Sequence, residues 1–235
     1  MSPVSSWSGE IATGDSVRWP AVPSRRTPGP AVALLVRHGR TPTTGKVLPG
    51  RAPGLHLSDE GRAQAERTAE RIAELPAAPV AVYASPLERA VETARPIARR
   101  LGLRVRVERG LLECDFGAWT GARLSTLRRR REWGTVAALP SSFRFPDGES
   151  FLEMQARVLS TLDRLVARHR GETFVAVSHA DPIKAAVAAT AGVPLDLFQR
   201  LVVSPCSVSA VVRGGSAAHV LCVNANSSLA ELVLS

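Results

Sequence analysis

The apolar run Ala31-Val32-Ala33-Leu34-Leu35-Val36 stops abruptly at Arg37-His38-Gly39, with Thr41 two residues beyond. A short apolar stretch of this kind reads as a strand buried on both faces, a property of parallel sheets covered by helices. That holds the chain to the α/β class, where ligand sites lie outside the carboxyl ends of the strands. A guanidinium, an imidazole and a flexible glycine arriving at such an end suit an anion held beside a histidine.

The rest of the chain repeats the pattern. Residues 80–84 and 173–177 read as further buried strands, and 104–107 as a more exposed one by its alternation. A helix is expected over residues 59–75, with Ser58 as its N-cap. Ser85-Pro86-Leu87-Glu88 spells a capping box, which puts Arg89 in the first turn of a helix running to Leu101. A single Arg-rich helix of about ten residues is expected after Gly121. The longest helical pattern covers 149–170, with Phe151, Val158, Leu159, Leu162, Leu165 and Val166 on one face. After Ser178-His179, Asp181-Pro182 reads as the cap and first position of a new helix, and 207–213 with 219–223 as a terminal hairpin. Strands alternating with helices predict a three-layer α/β/α sandwich with a mostly parallel central sheet.

A chain of 235 residues is long enough for one large α/β domain, read here as residues 31–235. Residues 1–30, rich in Pro, Ser and Gly, read as a disordered extension. The net charge of +9 opens three classes of partner: nucleic acid, a membrane surface and anionic small molecules. Of the 30 basic residues all but Lys46 and Lys184 are arginine, and the densest cluster, Arg128 to Arg131, has no interleaved aromatics on which bases would stack. No nucleic-acid partner is therefore expected. No apolar run approaches the ~20 residues a spanning helix needs, so no membrane partner is expected either. Cys114, Cys206 and Cys222 are too few and too dispersed for a disulfide framework or a zinc site, which fits a reducing, cytoplasmic setting. Walker A, H-E-x-x-H and C-x-x-C spacings are all missing, so the expected chemistry uses no metal and no cofactor.

Two buried strands thus end on histidines, His38 and His179, and a third leads into the helix that carries Arg89. In a parallel sheet these ends share one edge, so Arg37, His38, Arg89 and His179 are placed to meet around a phosphate-sized anion. The N-terminus of the Arg89 helix adds partial positive charge of its own. His56, His169 and His219 fall in a loop, at a helix end and in the hairpin, and are read as structural.

These segments, taken in order, carry a resemblance. Leu35-Val36-Arg37-His38-Gly39-Arg40-Thr41, Leu57-Ser58-Asp59-Glu60-Gly61-Arg62, Ser85-Pro86-Leu87-Glu88-Arg89-Ala90, Glu113 with Phe116-Gly117, Pro146-Asp147-Gly148-Glu149-Ser150 and Val177-Ser178-His179 together resemble the histidine phosphatase superfamily, the phosphoglycerate-mutase-like fold. The match spans about residues 32–223; Pro205-Cys206-Ser207-Val208-Ser209 and Val223-Asn224 further resemble an actinobacterial branch of phosphomutases and phosphatases. The resemblance implies that His38 is a nucleophile forming a phosphohistidine, that Arg37, Arg89 and His179 hold the phosphoryl oxygens, and that Glu113 is the proton donor and later the base toward water. Thr41 is a further phosphate donor on the same reading.

Ala180 departs from the family's usual glycine after the second histidine. Mutase-type members tend to carry a Trp-Asn pair soon after the first motif and a Tyr-Gly near the proton donor; this chain has Thr41-Pro42-Thr43-Thr44 and Phe116-Gly117. The expected function is hydrolysis of a small phosphorylated metabolite. A phosphomutase with the same intermediate and a non-catalytic phosphate- or RNA-binding module are the alternatives.

Overall fold

The computed structural model describes residues 29–227, so most of the expected disordered extension lies outside the described residues. Six strands form one sheet: β1 (Ala31–Arg37), β2 (Ala81–Ala84), β3 (Val105–Val107), β4 (Thr173–Ser178), β5 (Val208–Gly214) and β6 (Ala217–Ala225), in the order β3-β2-β4-β1-β5-β6. β3, β2, β4 and β1 run parallel, while β5 and β6 close the other edge as the antiparallel hairpin foreseen from Gly214-Gly215.

Period-2 alternation divides the strand side chains between two cores, as a doubly covered sheet requires. Val32, Leu34, Val36, Val82, Val175 and Val177 face helices α1 (Asp59–Ala73) and α2 (Glu88–Arg100), meeting Ile72, Ala90, Ala94 and Ile97. Ala33, Leu35, Tyr83, Phe174 and Ala176 face α5 (Phe151–Arg168) and α6 (Ala180–Thr190), meeting Val158, Leu162, Ile183 and Val187. This is the expected three-layer sandwich. Of the face anticipated for α5, Leu159 alone is only partly buried. Ser58 caps α1 by accepting from Gly61 N–H, as expected.

Three local readings are corrected. Ser85 does not cap α2: the helix starts at Glu88 with Leu87 in the cap position and no side-chain cap bond, because the Ser85 hydroxyl is engaged by His179 and the Glu88 carboxylate accepts from Gly54 N–H. The helix after β4 begins at Ala180 with His179 as N-cap, so Pro182 takes the third helical position, where its missing N–H is one the first turn leaves unpaired anyway. The Arg-rich helix is two short ones, α3 (Leu124–Leu127) and α4 (Glu132–Ala138). The chain turns between them so that the Arg130 guanidinium lies 5.5 Å over the Trp119 ring while Trp133 stacks on the same indole. These segments enclose a third core, built from Phe116, Trp119, Leu127, Val136, Phe145, Phe151 and Phe198, beside the carboxyl edge of the sheet.

Candidate active site

The register of the parallel strands places the candidate residues. Arg37 pairs with Ser178 across β1 and β4, and His38 N–H donates to Ser178 C=O at 2.9 Å, setting His38 next to His179. On the other side of β4, Ser85 N–H donates to Val177 C=O at 2.9 Å, which brings the start of the Arg89 helix to the same edge. The two imidazole centroids lie 5.1 Å apart with planes tilted by 59°. The turn after His38 is tight: a Cβ at Gly61 would sit 2.0 Å from the Arg40 carbonyl oxygen, so only glycine lets helix α1 approach this backbone.

His38 is buried, and its Nδ1 lies 2.8 Å from the Gly39 carbonyl oxygen. A carbonyl only accepts, so Nδ1 carries the hydrogen and the neutral ring exposes its lone pair at Nε2. Burial, then the charges of Arg89 and Arg37, hold the His38 pKa well below the ordinary histidine range. His179 is fully buried and depressed for the same reasons, with Arg89 the largest charge acting on it. Both rings are therefore neutral at physiological pH.

The surrounding side chains have hydrogen-bonding capacity to spare. Arg89 is fully buried and gives one N–H to Gly50 C=O at 2.8 Å, while its Nε and Nη1 have no protein partner. Arg37 gives one N–H to Val203 C=O at 2.7 Å and leaves a buried Nε unpaired. His179 bonds Ser85 Oγ through Nε2 at 2.8 Å, and its buried Nδ1 is likewise free. Buried polar groups without partners cost roughly 1–3 kcal/mol each. Four at one sheet edge, two of them on one guanidinium, mark a place built for an acceptor-rich anion.

Glu113 lies in the irregular segment between β3 and α3 and is buried, with Cys114 N–H donating to its carboxylate at 3.0 Å. Burial and the nearby Asp181 carboxylate raise its pKa to about 7, against the opposing pull of Arg89 and Arg37. With Glu113 protonated and both histidines neutral, Arg37 and Arg89 supply the charge that matches a phosphate monoester dianion. The arrangement can thus present a nucleophilic nitrogen, hold phosphoryl oxygens and deliver a proton, which are the parts phosphoryl transfer needs.

Of the residues singled out in the sequence, Arg37, His38, Arg89, Glu113 and His179 converge. Thr41 is buried, but its hydroxyl bonds Thr43 and Thr44 within its own loop, and none of its hydrogen bonds reaches the cluster. Ser178 does more than end its strand: its hydroxyl donates to Leu111 C=O at 2.7 Å and ties β4 to the Glu113 segment. Of the histidines read as structural, His169 is buried between Tyr83 and Glu172, and His56 pairs with Glu92 at the surface. Ser85, Gly50 and Asp181 were not identified from sequence as parts of the site. Among the described residues no three His, Cys, Asp or Glu side chains are grouped to hold a metal ion, and no helix is long and apolar enough to cross a membrane.

Comparison with known proteins finds relatives in both sequence and fold. A family profile described as the histidine phosphatase superfamily (branch 1) matches residues 33–226. An uncharacterized Mycobacterium tuberculosis protein, Rv0525, is 38% identical over 152 residues, covering 63% of this chain and 73% of that one. Phosphoserine phosphatase 1 of Hydrogenobacter thermophilus is 32% identical over 173 residues, covering 70% and 78%. Among solved structures, mycobacterial glucosyl-3-phosphoglycerate phosphatase Rv2419c superposes with a TM-score of 0.69 at 26% identity, over 77% of this chain and 89% of that one.

Proposed function

We propose that this protein, which belongs to the histidine phosphatase superfamily, is a metal-independent phosphomonoesterase that hydrolyses a small phosphorylated metabolite through a phosphohistidine on His38. The observation that carries the reading is the set of unpaired, buried nitrogens on Arg37, Arg89 and His179 beside a neutral His38 whose lone pair is at Nε2. In the first step Nε2 attacks phosphorus while Glu113 protonates the departing alkoxide. In the second, Glu113, now a carboxylate, takes a proton from the water that attacks the phosphohistidine, and inorganic phosphate leaves. The guanidiniums and the His179 N–H hold the equatorial oxygens through both steps, so catalysis is positioning and electrostatics.

Hydrolysis is favoured over phosphoryl return to a second hydroxyl. Phe116, at the position where mutase-type members tend to carry a tyrosine, is sealed in the aromatic core against Phe145 and brings no hydroxyl toward the substrate. The names of the relatives, a phosphoserine phosphatase and a glucosyl-3-phosphoglycerate phosphatase, support a small hydroxylated metabolite as the alcohol part. A panel of phosphate monoesters assayed for released phosphate in the presence of a chelator, with His38→Ala as the blank, tests the reading. Free phosphate from at least one ester supports it; an isomerised ester without free phosphate would establish the mutase alternative.

A further inference from the structure

The proton donor is held by a device that the proposed chemistry does not itself name. Glu113 sits in a segment without regular secondary structure, yet its backbone carbonyl receives two arginines: Arg51 Nε at 2.8 Å and Arg157 Nη2 at 3.3 Å. Arg157, on helix α5, also donates to Gly110 C=O at 2.8 Å and Leu112 C=O at 2.9 Å, so one guanidinium grips three carbonyls of the segment that leads into Glu113. Glu149 joins the two arginines, accepting from Arg157 at 2.8 and 2.9 Å, from Arg51 at 2.7 Å and from Asp115 N–H at 3.1 Å. All three side chains are largely buried, with exposures of 28% for Arg51, 21% for Arg157 and 18% for Glu149.

We infer that Arg51, Glu149 and Arg157 form a clamp that positions the Glu113 carboxyl for proton transfer to the leaving group. None of the three needs to touch substrate; they are positioning residues for the reaction proposed above, on which this inference rests. The requirement is physical: a general acid must stand within hydrogen-bond reach of the leaving oxygen, and an irregular segment has no helix or sheet ladder to hold it there. Packing shows the same design. A Cβ at Gly148 would lie 2.4 Å from the Asp115 carbonyl oxygen, so the turn that presents Glu149 is pressed directly onto the Glu113 segment. The clamp is also joined to the phosphate end of the site, because Gly50, whose carbonyl takes an N–H of Arg89, immediately precedes Arg51.

The test exploits leaving groups. kcat/KM reports events through departure of the alcohol, so it isolates the step in which Glu113 acts as acid. An alkyl phosphate needs that proton, whereas 2,4-dinitrophenyl phosphate expels a stable phenolate without it. Arg157→Met and, as a second variant, Arg51→Met are expected to lose 10- to 100-fold in kcat/KM on an alkyl phosphate and less than 3-fold on the dinitrophenyl ester, with Arg157→Lys recovering part of the loss. Equal losses on both esters, or none on the alkyl ester, would overturn the clamp. Glu113→Gln is the reference: if it fails to discriminate between the two esters, the acid role itself is wrong, and the clamp falls with it for that separate reason.

Discussion

The His38 and His179 rings lie 5.1 Å apart, and the same guanidinium, that of the fully buried Arg89, bears on the ionisation of both. Burial and positive charge act in one direction here, disfavouring imidazolium. Arg89→Met keeps most of the side-chain volume and removes the charge, so the titration midpoints of both rings should rise in an NMR titration. kcat/KM should fall about 100- to 1000-fold, as when a preorganised charge on a developing oxyanion is lost. Unmoved midpoints would mean that Arg89 does not face the two rings.

The pH dependence follows from Glu113. Its pKa is raised to about 7, so the protonated form needed by a departing alkoxide is lost as pH rises through that value. kcat/KM for an alkyl phosphate should therefore fall on the alkaline side by about tenfold per pH unit. The acid limb belongs to the second ionisation of the ester, at about pH 6, with burial and the charges of Arg89 and Arg37 pushing both histidines down, away from the ordinary imidazole range. In Glu113→Gln the alkaline limb should flatten at a rate about 100- to 1000-fold lower. A profile still climbing above pH 8 would contradict the assignment.

Ser85 has a role that its position before Pro86 disguised. On the proposed reading Nδ1 of His179 carries the hydrogen that meets a phosphoryl oxygen, so the Ser85 hydroxyl must donate to Nε2, 2.8 Å away. Ser85→Ala frees the ring to adopt the other tautomer and leaves a buried nitrogen unpaired. The expected cost is about 1–3 kcal/mol in stability and about tenfold in kcat/KM. Nitrogen-15 shifts of the His179 ring should report the Nδ1–H tautomer in the parent protein and a change in the variant; an Nε2–H tautomer in the parent would refute the role.

The middle of the sheet was legible because β1, β2 and β4 are short, nearly continuous apolar runs, the outer strands through alternation and the Gly214-Gly215 turn, and the convergence of Arg37, His38, Arg89 and His179 because parallel strands of known polarity deliver their ends to one edge. What sequence could not supply were contacts between positions far apart in the chain that follow no periodicity. Ser85 reads locally as a cap, and only the pairing of β2 with β4 reveals its bond to His179. Asp181 reads as a helix cap, yet it lies where it raises the Glu113 pKa. Arg51 and Arg157 are two among many arginines, distinguished only once each is found on the Glu113 carbonyl. Thr41 shows the converse: motif position suggested a phosphate donor, while the fold turns its hydroxyl toward Thr43 and Thr44.

The most direct test is to quench turnover of a hydrolysed ester in alkali and look for phosphate on the protein. Alkali is required because phosphohistidine is labile in acid. Nδ1 of His38 is tied to the Gly39 carbonyl, so the phosphoryl group should be found on Nε2 of His38, bound as one group per chain at most, and it should be absent from His38→Ala. Steady hydrolysis with no phosphoenzyme, or label on any other residue, would contradict the account.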